Sequence, residues 1–389
     1  MMGKRLLKSV FTIFSFLFLL SFVVNGGGFS NAIASNSIKN DIRDKLTRIS
    51  DNLIENFSDD YNSPTNSSSA KTEKNTEYVY IGGFPIGIKL YCDGVIVVDT
   101  QNVETSGVYE NPAQKAGIMK GDVIKSIDGK KVTTNSEVSE LIEESNGNPL
   151  EIQISRNGEL KNVIFSSVYS SVAGQYKAGL WIRDSSAGIG TVTFFTDEGE
   201  FASLGHAVCD IDTGKVLPLS GGETTDALIT GCNKGKSGTA GELCGVLESG
   251  VTGEIMLNEK IGVYGVFNKV DTEREKYPLA SKSEVKPGAA QIVTTVENGE
   301  PKKYNIEIER IDYISGENKN MVIKVVDSEL INKTGGIIQG MSGSPIIQDG
   351  KLVGAVTHVF LNDPTGGYGI FAETMLLKAD DLYQQKMAS

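Results

Sequence analysis

The chain has 389 residues, 39% of them hydrophobic and 22% charged, with 44 glycines and a net charge of -12. That length holds two domains and a tail, and so many glycines favour turns and strands over long helical bundles. The acidic balance argues against nucleic acid as a partner, and four cysteines without a CxxC pair beside two histidines argue against a zinc site of ordinary spacing. No metal and no cofactor is called for.

Residues 1–34 read as a signal or anchor segment. Lys4, Arg5 and Lys8 precede an apolar run over 10–24, and Ala32-Ile33-Ala34 has the small-x-small form of a signal-peptidase site. The run falls short of the ~20 residues that span a bilayer, which favours a cleaved signal over a retained anchor. Either carries the body across a membrane. Residues 35–77 read as a flexible tether, because 57–76 is mostly Asn, Ser and Thr with little to bury, and such a stretch is easily cut by proteases.

The first folded unit spans 78–167. "IGGFPIGIKLYCDGVIVVDT" gives two β runs around Cys92-Asp93-Gly94, a turn signal. In "ENPAQKAG", Asn111 caps a short helix, Pro112 takes its first position and Gly117 follows its end. Asp128-Gly129 and Asn157-Gly158 mark hairpins. Between them Thr134 and Glu137 have capping-box spacing before an amphipathic helix with Val138, Leu141 and Ile142 on one face. This order, and above all "NPAQKAGIMKGDVIKSIDGKKV", resembles a PDZ domain of the circularly permuted bacterial type. The resemblance implies that an extended peptide, the chain's own terminus or a partner's, adds to a sheet edge beside a helix. It also implies that Phe84, Pro85, Ile86 and Gly87 form the loop that holds a terminal carboxylate.

The second unit spans 168–389 and reads mainly as β. "AGIGTVTFF", "GEIMLNEKIGVYGVF", "KYNIEIERI", "NMVIKVVD" and "KLVGAVTHVF" are strands separated by glycine turns, which suggests a barrel or sandwich. Only "AETMLLKADDLYQQ" at the C-terminus reads as helix. Cys209, Cys232 and Cys244 lie near enough in sequence for one disulfide, although three small buried residues is the simpler reading.

Within "IIQGMSGSPIIQDGKLVGAVTH" a serine stands between glycines. Serine needs a base to take its proton and donors to hold an oxyanion. In Gly340-Met341-Ser342-Gly343-Ser344-Pro345 the nucleophile would be Ser342, with the N–H groups of Gly340 and Ser342 as the oxyanion donors. Ser344 is the competing hydroxyl, read as capping or bonding the turn. The pattern resembles the nucleophile motif of chymotrypsin-like proteases. The base must be His206 or His358, since the chain has no other histidine. His206 precedes Ser342 by 136 residues, which gives the base-then-nucleophile order of a two-barrel protease. His358 follows the serine by 16 residues, where it could line the specificity pocket.

Three long stretches, "AGLWIRDSSAGIGTVTFF", "SLGHAVCDIDTG" and "GGIIQGMSGSPIIQDGKLVGAVTHVFLNDPTGGYGIF", stand behind a PDZ-like unit and a leader. Together they closely resemble the stage IV sporulation protein B (SpoIVB) serine peptidases. The fold so implied is mainly β: an α+β PDZ domain followed by a chymotrypsin-like double β-barrel. The resemblance implies an endopeptidase secreted from the forespore into the intermembrane space. There it would cleave the ectodomain of a membrane-bound regulator, releasing an intramembrane protease that activates a sigma factor. It would also cut itself near its N-terminus. Carried over by position, Ser342 is the nucleophile, His206 the base and Asp327 the acid. Asp210 and Asp226 remain open to that role, because Asp327 is only fifteen residues before the serine. Two other readings are a non-catalytic PDZ adaptor with a protease-like barrel and an HtrA-like quality-control protease. The latter carries its PDZ domain after the protease domain, not before it.

Overall fold

The computed structural model describes residues 77–314 and 318–388. The expected leader and almost all of the tether lie outside them. Among the described residues no helix is long and apolar enough to cross a membrane. The architecture is mainly β, with a PDZ region and a six-stranded closed barrel.

The principal strands are β1 (Tyr78–Ile81), β2 (Pro85–Thr100), β3 (Val123–Ile127), β4 (Leu150–Arg156), β5 (Glu159–Phe165), β6 (Leu180–Phe195), β7 (Glu200–Ser203), β8 (Leu219–Asn233), β9 (Glu242–Glu259) and β10 (Gly262–Phe267). They are followed by β11 (Gly288–Thr294), β12 (Lys302–Ile311), β13 (Met321–Val325), β14 (Pro345–Gln348), β15 (Lys351–Phe360) and β16 (Asp363–Phe371). The helices are α1 (Pro112–Lys115), α2 (Asn135–Glu144), α3 (Ser328–Thr334) and α4 (Ala372–Ala388).

The PDZ region forms for the reasons its sequence states. Asn111 accepts from the Gln114 N–H (2.9 Å), and Pro112 opens α1. Thr134 and Glu137 close a full capping box on α2, which buries Val138 and Ile142. These pack with Val95, Val97, Ile124, Ile152, Ile154 and Phe165 into one core. Each such aliphatic side chain contributes about 1.5–3 kcal/mol on burial. Asp122, buried beneath, receives a bidentate bond from Arg156 (2.7 Å to each oxygen).

The sequence-based boundary at 167/168 does not separate the strands. β2 is one strand, not a hairpin turning at Cys92-Asp93-Gly94. Its first part packs Ile86, Ile88 and Leu90 with Val192, Phe195, Phe201 and Ile255. Its second part enters the PDZ core. At the crossing, Gly94 has φ +104° and a Cβ there would lie 2.5 Å from the Ile124 carbonyl oxygen, so this glycine serves a close strand approach instead of a turn. Lys125 bonds both the carboxylate and the carbonyl of Asp93. β6 mirrors this path: 180–183 pairs with β2 at the PDZ end, and 185–191 pairs with it again towards residue 85. The strands therefore interleave, and a fragment beginning at 168 would lack β1 and β2.

In the larger sheet, β6 pairs β7, β7 pairs β10, β10 pairs β9, β9 pairs β8 and β8 pairs β2, which pairs β6 in turn. The sheet continues from β2 into the PDZ strands. The closed barrel runs β11-β12-β13-β16-β15-β14. Alternation is plain in β12, where Tyr304, Ile306 and Ile308 face in and Glu307 and Glu309 face out. Helix α4 packs Ala372, Met375, Leu376 and Ala379 on Phe194, Ala202, Tyr264 and Leu352, so it covers both strand systems.

Candidate active site

The loop that carries Ser342 lies between α3 and β14. Helix α3 stops at Gly335, whose left-handed backbone returns an N–H to the Ile331 carbonyl. The following segment is tied down by backbone bonds: Ile337 N–H to Pro364, Gln339 N–H to Gly241, and Leu243 N–H to Gln339. Gly343 is required by space. Its φ is +93°, and a Cβ there would stand 2.1 Å from the Thr191 carbonyl oxygen.

Strand β6 holds this loop from below with two threonines on one face. The Thr191 hydroxyl donates to the Gly340 carbonyl (2.6 Å), and the Thr193 hydroxyl donates to the Gly343 carbonyl (2.8 Å). The Thr191 N–H also donates to the Ser342 carbonyl (3.3 Å). With its carbonyls so engaged, the loop keeps the N–H groups of Gly340 and Ser342 without a protein acceptor among the described residues. Two free donors two residues apart beside a serine can stabilise an oxyanion.

Ser342, Gly340, His206 and His358 all line one cleft of about 520 Å³. The Ser342 hydroxyl donates to the Thr357 carbonyl (2.7 Å), so in this arrangement it rests on β15 instead of on an imidazole. His206 Nδ1 lies 2.9 Å from the Ala207 carbonyl oxygen. A carbonyl only accepts, so Nδ1 carries the proton and Nε2 keeps its lone pair, the tautomer a general base needs. The two imidazole rings stand 5.0 Å apart between centroids. Burial lowers the His206 pKa below the ordinary imidazole value, partly offset by the Ala207 bond. Burial, then His206 and Lys319, lower that of His358 to about 4. His358 Nδ1 is buried with no hydrogen-bond partner.

The expected acid is not brought to this cleft. Asp327 is the N-cap of α3: Oδ1 accepts from the Glu329 and Leu330 N–H groups (3.0 and 3.2 Å) and Oδ2 from the Asn305 N–H (3.1 Å). Both oxygens are thus committed to backbone donors. Asp210 pairs with Arg183, and Asp226 lines a separate pocket with Arg274. The Ala207 carbonyl occupies the orienting place beside the imidazole. Ser344 is fully buried and its hydroxyl bonds nothing, contrary to the expectation that it ties the turn. The four cysteines are free; Cys209 is exposed and lines the cleft, and Cys232 and Cys244 are half-buried, so none of the three is the buried small residue expected.

Phe84, Pro85, Ile86 and Gly87 do not form an open carboxylate loop. Pro85, Ile86 and Gly87 pair with Thr191, Gly190 and Ile189, and Ile86 and Gly87 also pair with Asp226 and Thr225 on the other side. With both edges taken, no strand can be added there. Phe84 stacks under the Arg274 guanidinium (4.2 Å). Beside α2, the chain's own β6 lies along β2, with Leu180 and Ile182 on the PDZ core and Asp184 accepting from the Asn135 N–H (2.9 Å). A hollow of about 430 Å³ remains there, lined by Val138, Ile142, Tyr109 and Tyr176.

Sequence reasoning missed Thr191 and Thr193. Their signal was the alternation in "GTVTFF", where a polar pair lies on a face that is wholly buried.

Residues 174–376, just over half of the chain, match the SpoIVB peptidase S55 family, and residues 70–165 match the PDZ domain family. The zinc metalloprotease RasP of Geobacillus kaustophilus (strain HTA426) is 28% identical over 131 residues, 28% of this chain and 31% of that protein. The chain spans about a third of the length of this curated relative, and the zinc in its name is said of the relative alone.

Proposed function

The chain belongs to the SpoIVB peptidase S55 family and is a serine peptidase with a PDZ domain; from the cleft we infer that Ser342 is its nucleophile and His206 its general base. Reaction needs the Ser342 hydroxyl to turn from the Thr357 carbonyl to Nε2 of His206. The imidazole takes the proton while Oγ bonds to the scissile carbonyl carbon. The N–H groups of Gly340 and Ser342 hold the oxygen that becomes negative. As the C–N bond breaks, His206 passes the proton to the departing amine. Water then repeats the sequence on the acyl-enzyme. We read the ring of β2, β6, β7, β10, β9 and β8 as the partner of the closed barrel, in the two-barrel manner of chymotrypsin-like enzymes.

A protease acts on protein and a PDZ domain binds peptides. Beyond that, family membership supports a place in sporulation signalling: export from the forespore to the intermembrane space, and cleavage of a membrane-bound regulator of an intramembrane protease. Self-cleavage would fall in the tether. His358 sits in the cleft, where it can touch substrate.

The carrying observation is the convergence of Ser342, His206 and two unpaired N–H donors on one cleft. A fluorophosphonate probe tests it. Wild type should label on Ser342 by mass spectrometry, and Ser342→Ala should not; equal labelling of the two would end this assignment.

A further inference from the structure

The cleft differs in charge from the chain around it. Asp, Glu, Lys and Arg make up 22% of all residues, yet none of the twenty residues lining the cleft is one of them. Its ionisable imidazoles, His206 and His358, are both held towards the neutral form by burial. A charged substrate side chain entering would lose water and meet no charged side chain in the lining; Lys319, which acts on His358, lies outside it.

Aliphatic side chains make up much of the lining instead, some of them neighbours in sequence of the residues that hold Ser342 and its donors. Ile338 comes two residues before Gly340, and Val359 comes two residues after Thr357, whose carbonyl holds the Ser342 hydroxyl. Ala240 and Leu361 complete that wall. Ile338 is buried in the barrel core, Val359 is half-buried and Leu361 is 58% exposed. The wall is therefore fixed at its base and open at its rim.

Resting on the peptidase reading above, we propose that Ile338, Val359, Leu361 and Ala240 select an uncharged aliphatic side chain on the acyl side of the cut bond. The substrate class is a protein segment presenting such a residue, with lysine, arginine, aspartate and glutamate disfavoured there.

Peptidyl diphenyl phosphonates test this directly, because they phosphonylate the serine and carry one chosen side chain next to the reactive phosphorus. The full chain is treated with probes bearing Val, Leu, Lys or Glu at that place, and with a simple fluorophosphonate that carries none. The Val and Leu probes should label Ser342 at least about 30-fold faster than the Lys and Glu probes. Equal rates or a reversed order among these four probes would overturn the proposal. Failure of the simple probe would instead sink the peptidase reading. Val359→Asp should shift the preference at least about tenfold towards the Lys probe, and an unchanged preference would count against the pocket. If that variant fails to label with the simple probe, Leu361→Asp at the exposed rim supplies the same comparison.

Discussion

Thr191 offers a sharp perturbation of the proposed oxyanion donors, the N–H groups of Gly340 and Ser342. Its hydroxyl donates to the Gly340 carbonyl at 2.6 Å, and the residue is 1% exposed. Thr191→Val keeps the shape and removes the donor. A buried carbonyl left without a partner costs about 1–3 kcal/mol. The Gly340–Met341 peptide lies between the two oxyanion donors, so its rotation towards another donor would misaim at least one of them. Losing such a donor costs about 10²–10³ in rate. The control is Thr193→Val, which frees the Gly343 carbonyl at equal burial but beyond the second donor. Urea unfolding should show both variants destabilised by about 1–3 kcal/mol. Fluorophosphonate labelling of the folded protein should fall at least about tenfold in Thr191→Val and little in Thr193→Val. If both slow equally, or if Thr191→Val loses stability without losing rate, the loop is not aligned by β6 in the manner argued.

Asp327→Ala should cost about 1–2 kcal/mol of stability through the lost helix cap, while folded protein labels within a few-fold of wild type; a loss near 10⁴ would restore Asp327 as the catalytic acid. Because burial lowers the His206 pKa, its imidazole stays neutral to a lower pH than usual. The acid limb of probe labelling should therefore fall below about pH 6.5, and a midpoint above it would contradict the buried, neutral base. Burial, then Asp380 and Glu198, raise the Glu200 pKa to about 7 from 4.5. Between those values the folded chain keeps a proton that the unfolded chain has lost, so stability falls as pH rises through the window. Glu200→Gln should thus gain about 1–3 kcal/mol over wild type at pH 8 and little at pH 5 by thermal unfolding; an equal gain at both would point to packing instead.

Short-range features were legible where neighbours in sequence decide the structure. The Asn111 and Thr134 caps, the hairpin turns at Asp128-Gly129 and Asn157-Gly158, and the alternation of β12 need only a few adjoining residues. Helix α3 carried the same kind of signal, with Asp327 before it, Glu329 and Lys333 four apart (2.9 Å), and Gly335 after it. The family was legible in linear motifs as well, and the proposed roles of Ser342 and His206 rest on the same motifs.

What sequence alone determined, then, was the local grammar of strands, caps and turns and the residue types a serine peptidase requires. Tertiary structure decided which of them meet. Backbone hydrogen bonds sealed both edges of 86–87, drew β2 and β6 through two cores, and committed Asp327 to three N–H groups far along the chain or next to it. A carboxylate or a strand edge can satisfy only a limited set of donors, and which donors arrive depends on chain segments distant in sequence, which no local pattern encodes.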